Sequence, residues 1–206
     1  RRKAGGLFVG RCAPAQLVVR RGRGNGPSQM LDASARKGDH VGMTTHSPTL
    51  HLMCGKIASG KSTLARQLGA APRTVVIAED DWLARLYAGD MASMADFMRR
   101  SALLRDAMHP HVLSLLGAGL SVVLDFQANT IDSRAWLRSL VDQAGADHVL
   151  HWLDVPDAVC KARLKHRNDR GDHAFAVSEA QFDTITGYFV PPAPDERFNV
   201  VRHRPG

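Results

Sequence analysis

Short apolar runs alternate with amphipathic stretches from residue 49 almost to the end of the chain. Residues 49–54 carry Leu50-His51-Leu52-Met53-Cys54, a brief run suited to a strand buried on both faces. A helix is predicted from near Lys61 through Thr63-Leu64-Ala65-Arg66-Gln67-Leu68, with Gly69 able to stop it. Residues 73–78, 119–125, 148–155 and 198–202 supply four more apolar runs of strand length. Between them the pattern predicts helices over 82–87, 94–117, 134–144 and 177–189, and one that opens at Pro156. Phe97, Leu103, Leu104, Val112 and Leu116 form the apolar stripe of the 94–117 segment. Pro110 is expected to kink or split it near His109. Ser133 or Asp132 is the expected cap of the next helix, and Ser178 of the last. Pro191-Pro192-Ala193-Pro194 reads as a rigid extended link. Five strands alternating with helices imply an α/β fold, a parallel sheet sandwiched by helices.

Residues 1–42 break this rhythm. They are rich in Gly and Arg and sustain neither a helical nor a strand period. They also hold the charge. The chain has a formal charge of +7, and residues 1–42 carry nine Lys and Arg against Asp32 and Asp39. Residues 43–206 are therefore formally neutral, and the basic balance is a property of the tail. Two domains are expected: a disordered basic tail over 1–42 and a nucleotide-binding domain over 43–206. Met43 is the expected biological start, with 1–42 a mis-read upstream translation. A tail for nucleic acid or anionic membrane, or a targeting presequence, is the alternative.

The remaining composition narrows the class. A hydrophobic share of 44% supports an ordinary core. No apolar run approaches the ~20 residues that span a bilayer. Cys12, Cys54 and Cys160 are too few and too scattered for a disulfide scaffold or a zinc site, which fits a cytoplasmic protein. Cys54 and Cys160 are expected in the core. His109 and His111 lack the i, i+4 spacing of paired ligands on a helix face and are read as ordinary histidines.

The chemistry centres on Gly55-Lys56-Ile57-Ala58-Ser59-Gly60-Lys61-Ser62, which reads G-x-x-x-x-G-K-S. This is the phosphate-binding loop of P-loop NTPases, and it stands here between a strand and a helix, as it must. Glycines let successive amides point into one concavity at a helix start, where the dipole favours an anion. Residues Gly55 through Thr63 are thus the expected ATP site. Lys61 reaches the β- and γ-phosphates, and the Ser62 hydroxyl ligates Mg²⁺. The strand over 119–125 ends in Asp125, a Walker B pattern in which the carboxylate shares the metal. Glu79-Asp80-Asp81 cluster where the second strand ends, and strand ends are where open α/β sheets bind ligands. Capping of the following helix explains one or two of the three. Arg163 and Arg167 share a helix face, and Arg170 follows in a polar loop, Asn168-Asp169-Arg170-Gly171-Asp172-His173. That arrangement suits a lid whose guanidinium groups fork onto phosphate oxygens. Arg134 either faces the site or is solvated.

From about Pro48 to Val201 the chain resembles the small bacterial AAA-type ATP-binding predicted kinases of the P-loop kinase group. These are similar to chloramphenicol phosphotransferase and the zeta toxins. The resemblance rests on LHLMCGKIASGKSTLARQL, IAEDDWLARLY, VVLDFQANTIDSRAWLR, LDVPDAVCKARLKHRN, AFAVSEAQF and FVPPAPDE. It implies transfer of the γ-phosphate of ATP to a hydroxyl of a small molecule. It also implies that Asp80 acts as base on that hydroxyl, with Lys61, Arg163 and Arg167 stabilising the transferred charge. The family often has Pro where Glu79 stands, so Asp81 remains a possible substitute for Asp80. Gln127 and Asn129 depart from the Gly and aromatic residues common there, in a loop expected to line the acceptor pocket. A nucleoside, nucleotide or RNA-end kinase is one alternative. An ATP-binding regulatory module without acceptor chemistry is another. No membrane or nucleic-acid partner is expected, and oligomeric state is left open.

Overall fold

The computed structural model describes residues 47–170 and 177–204. The tail expected over 1–42 and the loop positions 171–173 lie outside the described residues. The described chain runs β1 (Thr49–Cys54), α1 (Lys61–Gly69), β2 (Thr74–Ala78), α2 (Glu79–Leu86), α3 (Met94–Gly117) and β3 (Ser121–Gln127). It continues through α4 (Ile131–Ala144), β4 (Asp147–Leu153), α5 (Asp157–Arg170), α6 (Glu179–Thr186), a 3₁₀ turn (Pro194–Glu196) and β5 (Val200–His203).

The five strands form one parallel sheet in the order β2-β3-β1-β4-β5. The steps from β1 to β2 and from β3 to β4 run in opposite directions across it. Right-handed crossovers then put α1 and α4 on opposite faces. The period-two alternation of β1 serves both layers. Leu50, Leu52 and Cys54 pack with Leu83, Leu104, Val112, Leu116, Leu137 and Leu140 of α2, α3 and α4. Met53 and Val123 pack instead against Ala65, Leu64 and Leu68 of α1. α1 ends hard against β2: a Cβ on Gly69 would stand 2.1 Å from Val76 Cγ2. A third cluster, Leu153, Val155, Cys160, Leu164 and Phe182, seats α5 and α6 beside Ile57 and Ala58 of the phosphate loop.

Several boundaries differ from the sequence reading. α2 begins at Glu79, so the acidic cluster is its first turn, where the helix dipole favours carboxylates. β3 continues to Gln127, two residues past Asp125. α4 is capped by Thr130, whose hydroxyl accepts from Ser133 N in a capping box, and not by Ser133 or Asp132. α5 extends through Arg170, so 168–170 are helical and not loop. α3 stays one helix of 24 residues despite Pro110. Its Leu103 is exposed and belongs to no core stripe. α6 spans only Glu179–Thr186, with Ser178 as its cap as expected, and the proline link ends in a 3₁₀ turn. Cys54 and Cys160 are buried free thiols.

Candidate active site

At the C-terminal end of β1 the chain turns through two glycines in backbone conformations that other residues rarely adopt, Gly55 at φ +154° and Gly60 at φ +107°. A Cβ on Gly55 would lie 2.7 Å from Ser59 Oγ and 3.0 Å from Leu153 O. The loop can therefore close only around a residue without a side chain. Its inner turn is held by Ser59 N donating to Lys56 O at 3.2 Å and Thr63 N to Gly60 O at 3.1 Å. α1 then starts at Lys61 with no side chain to cap it, which leaves its first turn suited to an anion.

Lys61 is the central cation. Its Nζ donates to Gly55 O at 2.7 Å and to Lys56 O at 2.9 Å, so the ammonium is already wrapped by the loop it serves. Burial lowers its pKa from the usual lysine value, and the Asp125 and Asp80 carboxylates work in the opposite sense. Both acids thus stand close enough to Lys61 to act on its charge.

A cavity of about 1120 Å³ opens above these strand ends. Ile57 through Thr63, Asp80, Asp125, Arg163, Arg167 and Arg170 all line it. Residues from four separate segments of the sequence thus share one cleft. Gly55 and Lys56 are not among its walls. Gly55 contributes geometry, while Lys56 pairs with Asp157 and lies 5.9 Å from the Phe189 ring centre. Asp81 is exposed and does not line the cleft. The three arginines project from one face of α5. Arg163 Nη1 donates to Ser59 O at 3.2 Å, which ties α5 to the phosphate loop. Burial lowers the Arg167 pKa, and the Asp80 carboxylate opposes that shift. Arg167 Nε is buried with no hydrogen-bond partner. A buried guanidinium nitrogen of this kind is what an anionic ligand would satisfy.

Ser62 and Asp125 present oxygen donors to the same cleft, the donor type that Mg²⁺ takes. Among the described residues no group of three or more His, Cys, Asp or Glu could cage a metal without help. Two protein oxygens completed by phosphate and water is the usual Mg²⁺ arrangement at nucleotide sites, so the residues present fit that ion.

Three residues have roles that the sequence did not disclose. Glu79 is 2% exposed and lines the cleft. It accepts from Ser101 Oγ, and its Oε1 lies 3.5 Å from Arg105 Nη2. Burial raises its pKa, against the opposing pull of Arg105 and Ser101. Asn129 faces the loop and not the acceptor side: its Oδ1 accepts from Gly55 N at 2.8 Å. Gln127 does line the cleft. Arg134 neither faces the site nor is solvated. It is fully buried and donates to Ala128 O at 3.1 Å, Val190 O at 2.8 Å and Glu196 Oε1 at 2.9 Å. An arginine followed by helix-formers carries no signal of such a role, because Glu196 is 62 residues away.

A family profile described as an AAA domain matches residues 50–192. No curated protein matches the sequence. Among solved structures the chain is similar to a candidate kinase from Chloroflexus aurantiacus, with 20% identity and a TM-score of 0.60 over 77% of this chain and 85% of that one. It is similar to a sugar kinase from Janibacter, with 17% identity and a TM-score of 0.54 over 77% and 86%. It is also similar to the APS kinase CysC of Mycobacterium tuberculosis in complex with AMPPNP and APS, with 25% identity and a TM-score of 0.52 over 77% and 89%. These likenesses extend to the parallel sheet flanked by helices described above.

Proposed function

The chain belongs to the AAA domain family over residues 50–192, and from that premise we propose that it is an ATP-dependent kinase that transfers the γ-phosphate to a hydroxyl of a small molecule. The observation that carries the reading is a single cleft shared by the phosphate loop, Asp80, Asp125 and the α5 arginines. A pure nucleotide switch has no use for Asp80 opposite that loop. Further support comes from solved kinases of similar fold, one of them holding the ATP analogue AMPPNP.

In this reading the triphosphate lies over residues 57–63, cradled by the loop amides. Lys61 exchanges its two carbonyl partners for β- and γ-phosphate oxygens. Arg163, Arg167 and Arg170 close over the transferred group and stabilise its charge, and such electrostatic positioning carries most phosphoryl-transfer catalysis. Ser62 and Asp125 would hold Mg²⁺, which would neutralise phosphate charge there. Asp80 accepts a hydrogen bond from the acceptor hydroxyl, aims its oxygen at the γ-phosphorus, and takes the proton as the new P–O bond forms. A reducing cytoplasm suits the two buried thiols. No helix among the described residues is long and apolar enough to cross a membrane.

The test is ADP release with a panel of sugars, nucleosides, antibiotics and RNA 5′-ends, with mass spectrometry reading the gain of phosphate. Asp80→Asn is expected to lose roughly 10²–10⁴-fold in transfer rate while binding ATP near normally. Lys61→Ala is expected to lose both. An Asp80→Asn enzyme as active as wild type removes Asp80 as the base. Tight ATP binding with no acceptor-stimulated turnover removes the kinase reading in favour of a regulatory module.

A further inference from the structure

The phosphate loop begins at Gly55, and that residue is held from two directions. Its carbonyl accepts from Lys61 Nζ at 2.7 Å. Its amide donates to Asn129 Oδ1 at 2.8 Å, across 74 positions of sequence. β3 is irregular where it brings Asn129 there. Leu52 of β1 is in register with Leu124, but the next residue, Met53, is in register with Gln127, so β3 carries two extra residues at that step. A bulge of this kind re-aims the strand beyond it, and the chain then runs beside the loop, with Ala128 N donating to Met53 O at 3.0 Å. Asn129 is itself braced from behind. Its carbonyl accepts from Val190 N at 2.9 Å, and Arg134 Nη1 donates to Ala128 O and to Val190 O. Its Nδ2 lies 3.5 Å from Gln127 Oε1, so the two ends of the amide face Gln127 and Gly55.

We propose that Asn129 is a positioning residue for nucleotide binding: it keeps Gly55 in its loop conformation once Lys61 has released Gly55 O for phosphate. The inference rests on the ATP reading above and adds a residue to that same site. Gly55 stands at φ +154°, and a Cβ there would meet Ser59 Oγ at 2.7 Å. The loop thus needs glycine at a point where a glycine backbone is otherwise at its freest. Lys61 braces Gly55 O here, but in the ATP reading it moves its bonds to phosphate oxygens. The bond from Gly55 N to Asn129 does not involve Lys61 and survives that exchange. Lys56, the next residue, has an anchor of its own in Asp157 and lies over the Phe189 ring. Asn129 does not line the cleft, so it acts through Gly55 and touches no ligand. Without it, Gly55 has to be ordered as phosphate binds. Ordering one residue's backbone on binding costs roughly five- to thirtyfold in affinity.

Two measurements on the full chain test this: hydrogen exchange of the Gly55 amide by NMR, and calorimetric affinities for AMPPNP with Mg²⁺ and for AMP. In Asn129→Ala the Gly55 amide is expected to exchange about tenfold faster or more, while the Ala128 amide, bonded to Met53 O, keeps its rate. AMPPNP is expected to bind roughly five- to thirtyfold more weakly to this variant. AMP, whose single phosphate stops short of Lys61, is expected to bind as it does to wild type. Asn129→Asp keeps an acceptor for Gly55 N, so its Gly55 amide is expected to stay protected. That variant decides the point if the alanine variant does not fold. An unchanged Gly55 rate or an unchanged AMPPNP affinity in Asn129→Ala overturns the proposal. A loss for AMP as large as that for AMPPNP also overturns it, because the damage is then general. Loss of Gly55 protection in Asn129→Asp does the same. If wild type does not bind AMPPNP, the ATP reading fails, whereas the Gly55 exchange rates still decide whether Asn129 holds the loop.

Discussion

A single residue, Arg134, holds much of the scaffold behind the site. Its guanidinium gathers the end of β3, the chain after α6 and the 3₁₀ turn through Ala128 O, Val190 O and Glu196. Burial works to raise the Glu196 pKa, but the hydrogen bonds from Arg134 and Ala193 N overcome it and the net shift is downward. Truncation strands an acid and two carbonyls at once. Arg134→Ala is expected to destabilise the protein by about 3–5 kcal/mol in urea unfolding. A loss below about 1 kcal/mol would mean that the network contributes little. At the same scale, the choice between Asp80 and Asp81 turns on their position in a helical turn. Neighbours on a helix point about 100° apart, so Asp80 reaches the cleft while Asp81 is exposed.

Between elements the least expected feature is a histidine ladder across β1, β4 and β5. His51 Nδ1 lies 3.1 Å from His151 Nε2, and His151 Nδ1 lies 3.0 Å from His203 Nε2. Burial and the two flanking imidazoles hold His151 down to about 4, and burial also lowers His51. In the unfolded chain both titrate near the usual 6.5, so below that pH the unfolded state binds more protons. Stability from the ladder is therefore complete above pH 6.5 and declines as pH falls towards 4. The His151 contribution is on the order of 3 kcal/mol at most. Denaturant melts of His151→Phe are expected to show a shallower fall between pH 6.5 and 4 than wild type. Identical slopes would remove the ladder as the cause. Other element-scale differences also come from packing. α3 stays continuous through Pro110 because Leu104, Val112 and Leu116 bury on both sides of it, and that burial exceeds the ~3 kcal/mol that an interior proline costs.

For the whole molecule, the phosphate loop, the sheet and α5 meet in one cleft, so a ligand there braces several layers together. AMPPNP with Mg²⁺ at a hundred times its Kd is expected to add about 2.7 kcal/mol to stability, seen as a raised Tm. Lys61→Ala is expected to abolish the shift and Asp80→Asn to keep it. A shift that survives Lys61→Ala would mean that the nucleotide binds elsewhere. The G-x-x-x-x-G-K-S spacing, the run ending in Asp125 and the strand–helix alternation made the fold class and half of the site legible, because each depends on residues within a few positions of one another. The loop geometry of Gly55 and Gly60 is similarly local. Glu79 in the cleft wall, Asn129 on Gly55 N, Arg134 on Glu196 and the three laddered histidines are different in kind. Each joins residues at least 22 positions apart, so its partner is chosen by strand order and register and by which helix faces which sheet surface. A one-dimensional pattern specifies which residues turn inward. Only the assembled sheet and its helices decide whom they meet there.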